Sequence, residues 1–278
     1  MQYTTSSQSR RRFLTALAAA GVTLPGLTAH RAHAASWRGL VGLVIPQSHE
    51  NGLQDTFQIL PTGVDLLPVY MNFTEGTKKE MQDSMGNYEL NVAHLAAQQC
   101  DLICIEGAPP FMVLGRASET SLINGWEQKY KTPMFTSPQN QVNAFKALDA
   151  KNIFGVTPFS GNINKTYADY FVSAGYTSTA IDGMPGIAFN KVYEVPSTKV
   201  YEFIKQKFLQ QSGADTIYIL GSGWSTLDIV DPLEQDLGVS VVHPVTARVW
   251  EIQKRPHIHR PLDGYGILLA KLPGLKPA

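Results

Sequence analysis

Three polar side chains stand where acid–base chemistry could take place, because each adjoins the end of a short apolar run. Glu106 and Ser222 flank Gly107 and Gly221, which close two such runs, and His243 follows a third. A desolvated carboxyl group or an imidazole exchanges protons near neutral pH, and a serine hydroxyl donates a proton or a hydrogen bond. Each residue also has a structural alternative. Ser222 or His243 would cap a helix, and Glu106 would turn to a helix N-terminus or to solvent.

The segments that carry these residues occur twice in the chain. Three pairs of apolar runs correspond: residues 100–107 with 214–221, 38–46 with 151–158, and 133–138 with 239–244. In the first pair, CDLICIEG and ADTIYILG share Asp and Gly at the same offset. In the third pair, His243 before Pro244 repeats Ser137 before Pro138. Short apolar runs that end in glycine or proline turns are typical of buried parallel strands.

This duplication predicts an α/β protein with two pseudo-symmetric, doubly wound parallel-sheet lobes and a ligand crevice between them. Three strand ends from each half should face the crevice, since ligands of open parallel sheets bind outside the carboxyl ends of the strands. We place the first lobe at residues 35–148, the second lobe at residues 149–253 and a C-terminal extension at residues 254–278.

The first 34 residues predict a twin-arginine export signal. Residues 9–14 (SRRRFL) precede an alanine-rich apolar stretch, and residues 32–34 (AHA) form a small-x-small cleavage site. The alternative is an N-terminal helix that follows three arginines by chance. Pro25 and two glycines interrupt the apolar stretch, which is shorter than the ~20 residues that a membrane span requires. We expect a periplasmic or secreted chain that begins near Ala35, with the twin-arginine export machinery as partner of the precursor.

The composition predicts a sizeable core and no surface for nucleic acid. Of 278 residues, 44% are hydrophobic and 17% charged, and Lys plus Arg equals Asp plus Glu at 23 each. Because the export signal contributes several arginines, the rest of the chain is slightly acidic and lacks a basic stripe. Residues 221–223 (GSG) are only a fragment of a dinucleotide fingerprint, and Cys100 and Cys104 lack the companions of a metal site. We expect no cofactor and no metal.

The sequence resembles the Asp/Glu racemase superfamily, and within it the arylmalonate decarboxylases and maleate isomerases. The resemblance rests on residues 44–46 (VIP), 106–111 (EGAPPF) and 221–228 (GSGWSTLD), and it covers residues 38–253. Its most specific part is TLD followed by LEQDLGVSVV, up to residue 242, because arylmalonate decarboxylases carry a very similar run. The resemblance implies the two-lobed fold and cofactor-free chemistry next to a carboxylate.

The same resemblance implies that the family's thiols are missing. In this superfamily, cysteines at one or both strand ends act as acid, base or nucleophile, and the two positions fall on Gly107 and Gly221. Two-base racemization and thiolate addition are therefore disfavoured, since glycine cannot take a proton. Cys104 lies three residues before Gly107, inside the predicted strand, and is no obvious substitute.

The resemblance also implies the residues that contact a ligand. The N–H groups of residues 221–223, at the predicted start of a helix, suit a carboxylate or an enediolate. Ala108 stands where decarboxylases have a hydroxyl residue, and Phe159 where the family has a tyrosine. Asn162 and Asn164 belong to the loop that contacts the substrate carboxylate in maleate isomerase, with turn formation as the alternative. The expected binding residues are Pro46, Gly107, Ala108, Phe159, Asn162, Asn164, Gly221 and Gly223.

Two functions of different class fit these features. The first is an exported, cofactor-independent lyase of decarboxylase type, or an isomerase, acting on a small carboxylic or dicarboxylic acid. Its candidate catalytic residues are Ser222, Glu106 and His243. The second is a non-catalytic periplasmic carboxylate-binding protein derived from the same fold, which the double glycine favours. The retained Ser222 and Glu106 favour the enzyme, and turnover of a bound acid would distinguish the two.

Overall fold

A computed structural model describes residues 36–47, 51–211 and 213–276, which belong to one compact unit. The predicted export signal, residues 1–34, lies outside the described residues. Within the described ranges, no helix combines the length and the apolar character needed to cross a membrane.

Eight strands in the described part of the chain form two four-stranded parallel sheets. They are β1 (Gly39–Ile45), β2 (Val64–Tyr70), β3 (Leu102–Ile105), β4 (Met134–Thr136), β5 (Asn152–Thr157), β6 (Thr177–Gly183), β7 (Thr216–Ile219) and β8 (Ser240–Val242). The strand order is β2-β1-β3-β4 in the first sheet and β6-β5-β7-β8 in the second, so both sheets share one topology. This confirms the predicted α/β fold with parallel sheets in two similar halves.

Helices connect successive strands and cover the sheets. Among the described residues they are α1 (Gly52–Ile59), α2 (Lys78–Asp83), α3 (Met85–Ala97), α4 (Ala108–Leu114), α5 (Arg116–Tyr130), α6 (Ser137–Ala147), α7 (Ile163–Ser173), α8 (Ser197–Phe208), α9 (Val230–Leu237), α10 (Pro244–Lys254) and α11 (Ile267–Lys271). Two short 3-10 segments span Phe189–Glu194 and Leu227–Ile229. The central strands β1, β3, β5 and β7 are almost wholly buried, as their apolar sequences require.

Each half has one strand more than the three that the sequence predicts, and the extra strand lies at a sheet edge. The first, β2, contains Pro68, and the second, β6, carries Thr177, Ser178 and Asp182. An edge strand pairs on one side only, so it tolerates a proline, which cannot donate to a second neighbour, and polar side chains that face solvent. Asp65 and Pro68 interrupt the apolar residues of β2, and polar residues interrupt those of β6. The sequence pattern therefore did not indicate either strand.

The repeated aspartates fix the central strands at the end opposite to the repeated glycines. Asp101 accepts a hydrogen bond from the backbone N–H of Leu40 at 2.8 Å, which ties the start of β3 to β1. Asp215 accepts from the backbone N–H groups of Lys151 at 3.1 Å and Asn152 at 3.0 Å, which ties the start of β7 to β5. The aspartate of each repeat thus has a structural role, and only the glycine end faces a possible site.

The end of the chain packs against the second half. Leu268 and Leu269 of α11 are buried, and the backbone N–H of Ile267 donates to Glu234 of α9 at 2.7 Å. The indole Nε1 of Trp250, on α10, donates to the carbonyl of Pro273 at 3.1 Å. Residues 267–273, within the predicted C-terminal extension, therefore cover the second half.

Candidate functional site

Gly107 and Gly221 occupy equivalent positions at the ends of two central strands. Each lies two residues beyond its strand, β3 or β7, and each has a φ of +97°. This left-handed conformation is costly for a residue with a Cβ atom and accessible to glycine. Pro46 and Pro158 follow β1 and β5 at matching positions, and all four residues line one pocket.

That pocket lies between the carboxyl ends of the two sheets, and its cavity has a volume of about 70 Å³. Six of the eight predicted binding residues line it: Pro46, Gly107, Ala108, Phe159, Gly221 and Gly223. Phe73, Met81 and Val192 add apolar surface, while Gln47 and Ser222 are polar. The structure therefore brings the two strand ends together on a largely apolar pocket with a small polar patch beside Gly221.

The two glycines differ in the space beside them. A Cβ atom on Gly107 would overlap the hydroxyl oxygen of Tyr88, which donates a hydrogen bond to the carbonyl of Glu106 at 3.0 Å. A Cβ atom on Gly221 would lie 3.7 Å from Pro158 Cγ and 3.8 Å from Trp224 Nε1, which are ordinary contact distances. The first-half position is thus closed by Tyr88, and the second-half position is open.

Alanine substitution should reveal this difference. We expect Gly221→Ala to lower the free energy of unfolding by about 1–2 kcal/mol, because only the positive φ opposes a Cβ atom. Gly107→Ala should cost about 1–3 kcal/mol more, because the added methyl also displaces Tyr88. Urea unfolding of both variants measures the difference. Adding Tyr88→Phe to Gly107→Ala should bring its free energy of unfolding closer to that of Gly221→Ala. Equal losses of unfolding free energy for the two single variants would contradict the difference between the two glycine positions.

The turn at residues 221–223 is not the start of a helix. The next regular segment is the 3-10 segment that begins at Leu227, and α9 begins only at Val230. The sequence placed residues 221–223 at the start of a helix, and this expectation is wrong. The backbone N–H groups of these residues therefore gain no dipole from a helix that directly follows them. The turn is held instead by α1, since the backbone N–H of Gly52 donates to the carbonyl of Ser222 at 2.9 Å. Ser222 is half-buried and lines the pocket.

Glu106 lines the pocket, but its carboxylate belongs to a buried ion pair with Arg248 of α10. Arg248 Nε donates to Glu106 Oε1 at 2.8 Å, and Arg248 Nη2 lies 2.5 Å from Oε2. Ser137 Oγ donates to Oε2 at 2.9 Å, and Cys104 Sγ donates to Oε1 at 3.1 Å. Glu106 is 2% exposed and Arg248 is fully buried. The carboxylate is thus surrounded by fixed hydrogen-bond donors.

Arg248 extends this network to the first half. Its Nη1 donates to the carbonyl of Gly52 at 3.2 Å and to the hydroxyl of Thr56, both on α1. The guanidinium therefore joins α10 of the second half to β3 and α1 of the first. A carboxylate with this many fixed partners holds the halves together, and we do not retain Glu106 as the acid or base of the site.

His243 is placed differently from the sequence expectation. Strand pairing aligns it with Thr136 rather than with Ser137, and both are N-cap residues of the helix that follows. Its Nδ1 accepts a hydrogen bond from the backbone N–H of Val245 at 3.2 Å, and its Nε2 lies 3.0 Å from Thr226 Oγ1. Nδ1 therefore carries no proton, and Nε2–H donates to the threonine.

The environment of His243 also makes it a weak base. Burial, together with the nearby charge of Arg248, lowers the pKa of His243 to about 3. The side chain is fully buried and does not line the pocket between the sheets. Its arrangement matches the capping alternative, so we do not retain His243 as a catalytic base.

Asn164, one of the two asparagines in the loop after β5, holds that loop by hydrogen bonds. Asn164 Oδ1 accepts a hydrogen bond from Thr157 Oγ1 at 3.0 Å, and its Nδ2 donates to the carbonyl of Phe159 at 3.1 Å. Asn162 is exposed and borders a neighbouring depression that shares Phe159 with the main pocket. Neither asparagine lines the main pocket, and the contacts of Asn164 are those of a turn.

Both cysteines are buried free thiols. Burial raises the pKa of the Cys100 thiol to about 11, which leaves it protonated at neutral pH. Cys104 is fully buried in β3 and donates to Glu106. The described residues contain no group of three or more His, Cys, Asp or Glu side chains placed to hold a metal ion.

Sequence reasoning missed Arg248 and Tyr88. Arg248 is the one charged residue in the run Val245–Trp250 of α10, and a lone arginine among apolar and small residues signals a buried partner. No comparable signal marks Tyr88, because large aromatic residues are common in cores.

Comparison with known proteins identifies relatives of this fold. The sequence profile of the arylmalonate decarboxylase family matches residues 41–269. A double mutant of arylmalonate decarboxylase in the liganded form has a TM-score of 0.78 and 17% identity, with 84% of this chain and 99% of that chain covered. Among curated proteins, no sequence match was found.

Two maleate isomerases have the same fold. That of Pseudomonas putida S16, an alanine variant with maleate, has a TM-score of 0.76 and 16% identity, covering 84% of this chain and 97% of that chain. That of Nocardia farcinica, bound to TRIS, has a TM-score of 0.76 and 19% identity, covering 84% and 98%. A serine variant of the Nocardia enzyme carries a covalently bound succinylcysteine intermediate.

Proposed function

Because the chain belongs to the arylmalonate decarboxylase family, we propose that it is a cofactor-independent lyase of decarboxylase type for a small carboxylic or dicarboxylic acid. The observation that carries this proposal is the convergence of Gly107 and Gly221 on one largely apolar pocket. Two of its polar residues, Ser222 and Gln47, lie at the turn formed by residues 221–223. Such a pocket suits a ligand with one apolar end and one anionic end.

The proposed reaction uses the apolar wall and the polar turn for different parts of the substrate. A carboxylate placed against Phe159 and Pro158 loses solvation, and its C–C bond to the α-carbon breaks with release of CO₂. The electron pair stays on the α-carbon and spreads into the remaining carboxylate as an enediolate. N–H donors at residues 221–223 stabilise this anion. Ser222 Oγ then protonates the α-carbon and recovers its proton from water.

This mechanism assigns no step to a thiol. Gly107 and Gly221 lie at the two strand ends. Both cysteines are buried, Cys104 within β3 and Cys100 before that strand. The isomerase alternative needs a nucleophile that adds to a double bond, as the succinylcysteine intermediate shows for the Nocardia enzyme. A serine is a weaker nucleophile than a thiolate without an adjacent base, so we place the lyase ahead of the isomerase.

A non-catalytic carboxylate-binding protein is the second candidate. It is favoured by the engagement of Glu106 with Arg248 and of His243 with Thr226 and Val245, which leaves Ser222 as the sole remaining predicted acid–base residue. Incubation with phenylmalonate separates the candidates. Release of CO₂ and phenylacetate, followed by proton NMR, supports the lyase. Saturable binding without product supports the binding protein, and absence of binding contradicts both.

We also propose that residues 1–34 export the folded precursor. Residues 9–14 (SRRRFL) and residues 32–34 (AHA) supply the twin-arginine and cleavage features. Residues of both halves line the pocket, so the pocket exists only in the folded chain. This agrees with an export route for folded proteins. The mature chain would then act in the periplasm or outside the cell.

Exchange of both leading arginines for lysine tests the export proposal. Arg10→Lys with Arg11→Lys should leave the full-length chain inside the cell, because the export machinery reads the arginine pair. Fractionation and immunoblotting measure the distribution, and N-terminal sequencing of the exported form should begin within a few residues of Ala35. Arg31→Lys, outside residues 9–14, is the matched control and should be exported normally. Unchanged export of the double variant would contradict the assignment.

A further inference from the structure

The pocket between the sheets is small for the class of ligand proposed above. Its cavity of about 70 Å³ is well below the ~300–1,000 Å³ that is usual for a pocket enclosing a whole small molecule. Such a cavity has room for a carboxylate and the atoms next to it. The rest of a substituted acid must therefore lie outside this pocket.

A larger depression adjoins the pocket and offers that space. It has a volume of about 450 Å³, and Pro158, Phe159 and Val192 line both spaces. Ile163 and Ile187 add apolar surface to it. We call this space the outer depression. An apolar chain that leaves the main pocket past Phe159 and Val192 would enter it.

Helix α2 borders both spaces with one face. Met81 lines the main pocket, and Lys78 lines the outer depression. Residues three apart on a helix lie on the same side, which agrees with this placement. The next residue, Lys79, faces a different groove and forms an ion pair with Asp83 of the same helix. Of these two neighbouring lysines, only Lys78 lies on the path out of the main pocket.

Lys78 brings an unneutralised positive charge to the outer depression. It is the only charged residue among the described residues that line this space, and it forms no ion pair with any of the residues that the structure describes. Glu80, on the same helix, is engaged elsewhere, because it accepts hydrogen bonds from the backbone N–H groups of Thr74 and Gly76, both at 2.7 Å. A cation beside an otherwise uncharged wall attracts an anionic group.

We propose that the ligand is an elongated acid that is anionic at both ends, and that Lys78 binds its outer end. One carboxylate lies at residues 221–223, an apolar chain passes Phe159 and Val192, and the second anionic group meets the ammonium of Lys78. This inference rests on the proposed function and narrows it, because it adds a length and a second charge to the substrate class. Lys78 is exposed, so its ion pair discriminates between ligands and adds only modest affinity.

Binding of two matched series of acids to the full chain tests this inference. The first series is the straight-chain dicarboxylates from butanedioate to decanedioate, and the second is the monocarboxylates of the same lengths, both measured by calorimetry. At the lengths that reach Lys78, we expect the dicarboxylate to bind about fivefold more tightly, the upper range for an ion pair open to water. Shorter dicarboxylates should show no such preference, and added salt should reduce the preference where it occurs.

Two lysine variants assign the preference to one side chain. Lys78→Met should reduce the affinity for the long dicarboxylates to that for the matching monocarboxylates. Lys79→Met removes the same charge from the neighbouring residue and should keep the preference. The inference alone is wrong if phenylmalonate is decarboxylated but no dicarboxylate is preferred, or if Lys78→Met keeps the preference. If none of these acids binds and phenylmalonate is neither bound nor converted, the inference and the proposed function are both wrong.

Discussion

Replacing Arg248 with methionine should lower the free energy of unfolding by about 3–5 kcal/mol, the usual cost of leaving a buried charge without its partner. Arg248 is fully buried, and its guanidinium is the only cation that pairs with Glu106 among the described residues. The substitution also removes donors to Gly52 and Thr56 of α1. Urea unfolding followed by circular dichroism measures the loss.

Two further variants test whether the unpaired charge of Glu106 causes the loss of unfolding free energy. Lys165→Met is the control, because Lys165 forms an ion pair with Asp169 at 2.8 Å in which both side chains are exposed, and we expect a loss below about 1 kcal/mol. Glu106→Leu added to Arg248→Met should recover much of the stability, since no unpaired charge remains. A single variant as stable as the native chain would show that the guanidinium does not hold the halves together.

The central strands and the glycine turns were predictable because their signals are local. Runs such as residues 102–105 and 217–219 consist of hydrophobic residues, and the glycine two residues after each run marks a turn with positive φ. The edge strands β2 and β6 were not predictable in this way. Pro68 fits a strand where one side is unpaired, and the polar residues of β6 weaken its strand pattern, whereas sheet position is not a local property.

The site was predictable in its location and less so in its chemistry. The sequence placed Gly107, Gly221 and Ser222 on a common crevice, and the structure brings them to one pocket. The partner of Glu106 lies 142 residues further along the chain, and a single sequence carries no signal for such a pairing. His243 was matched to Ser137 by its proline, whereas strand pairing matches it to Thr136, and a shift of one residue changes the face that a side chain occupies.

The second large effect concerns Ser222. If Ser222 protonates the α-carbon, Ser222→Ala should lower the turnover of phenylmalonate by a factor on the order of 10²–10⁴, the usual contribution of a positioned acid–base group. Ligand affinity should change little, because the backbone donors at residues 221–223 remain. Steady-state kinetics separate kcat from KM. In D₂O the native chain should place deuterium on the α-carbon of the product.

Three comparisons make this result specific to the Ser222 hydroxyl. Ser225→Ala, on an exposed residue of the same loop, should leave kcat unchanged. Iodoacetamide should also leave kcat unchanged, because Cys100 and Cys104 are buried. Inactivation by alkylation would show that a thiol takes part in the reaction. In the binding-protein candidate there is no turnover to lose, and Ser222→Ala should weaken affinity by about 1 kcal/mol through one lost hydrogen bond. A variant that turns over as fast as the native chain would assign protonation to water and leave Ser222 a binding residue.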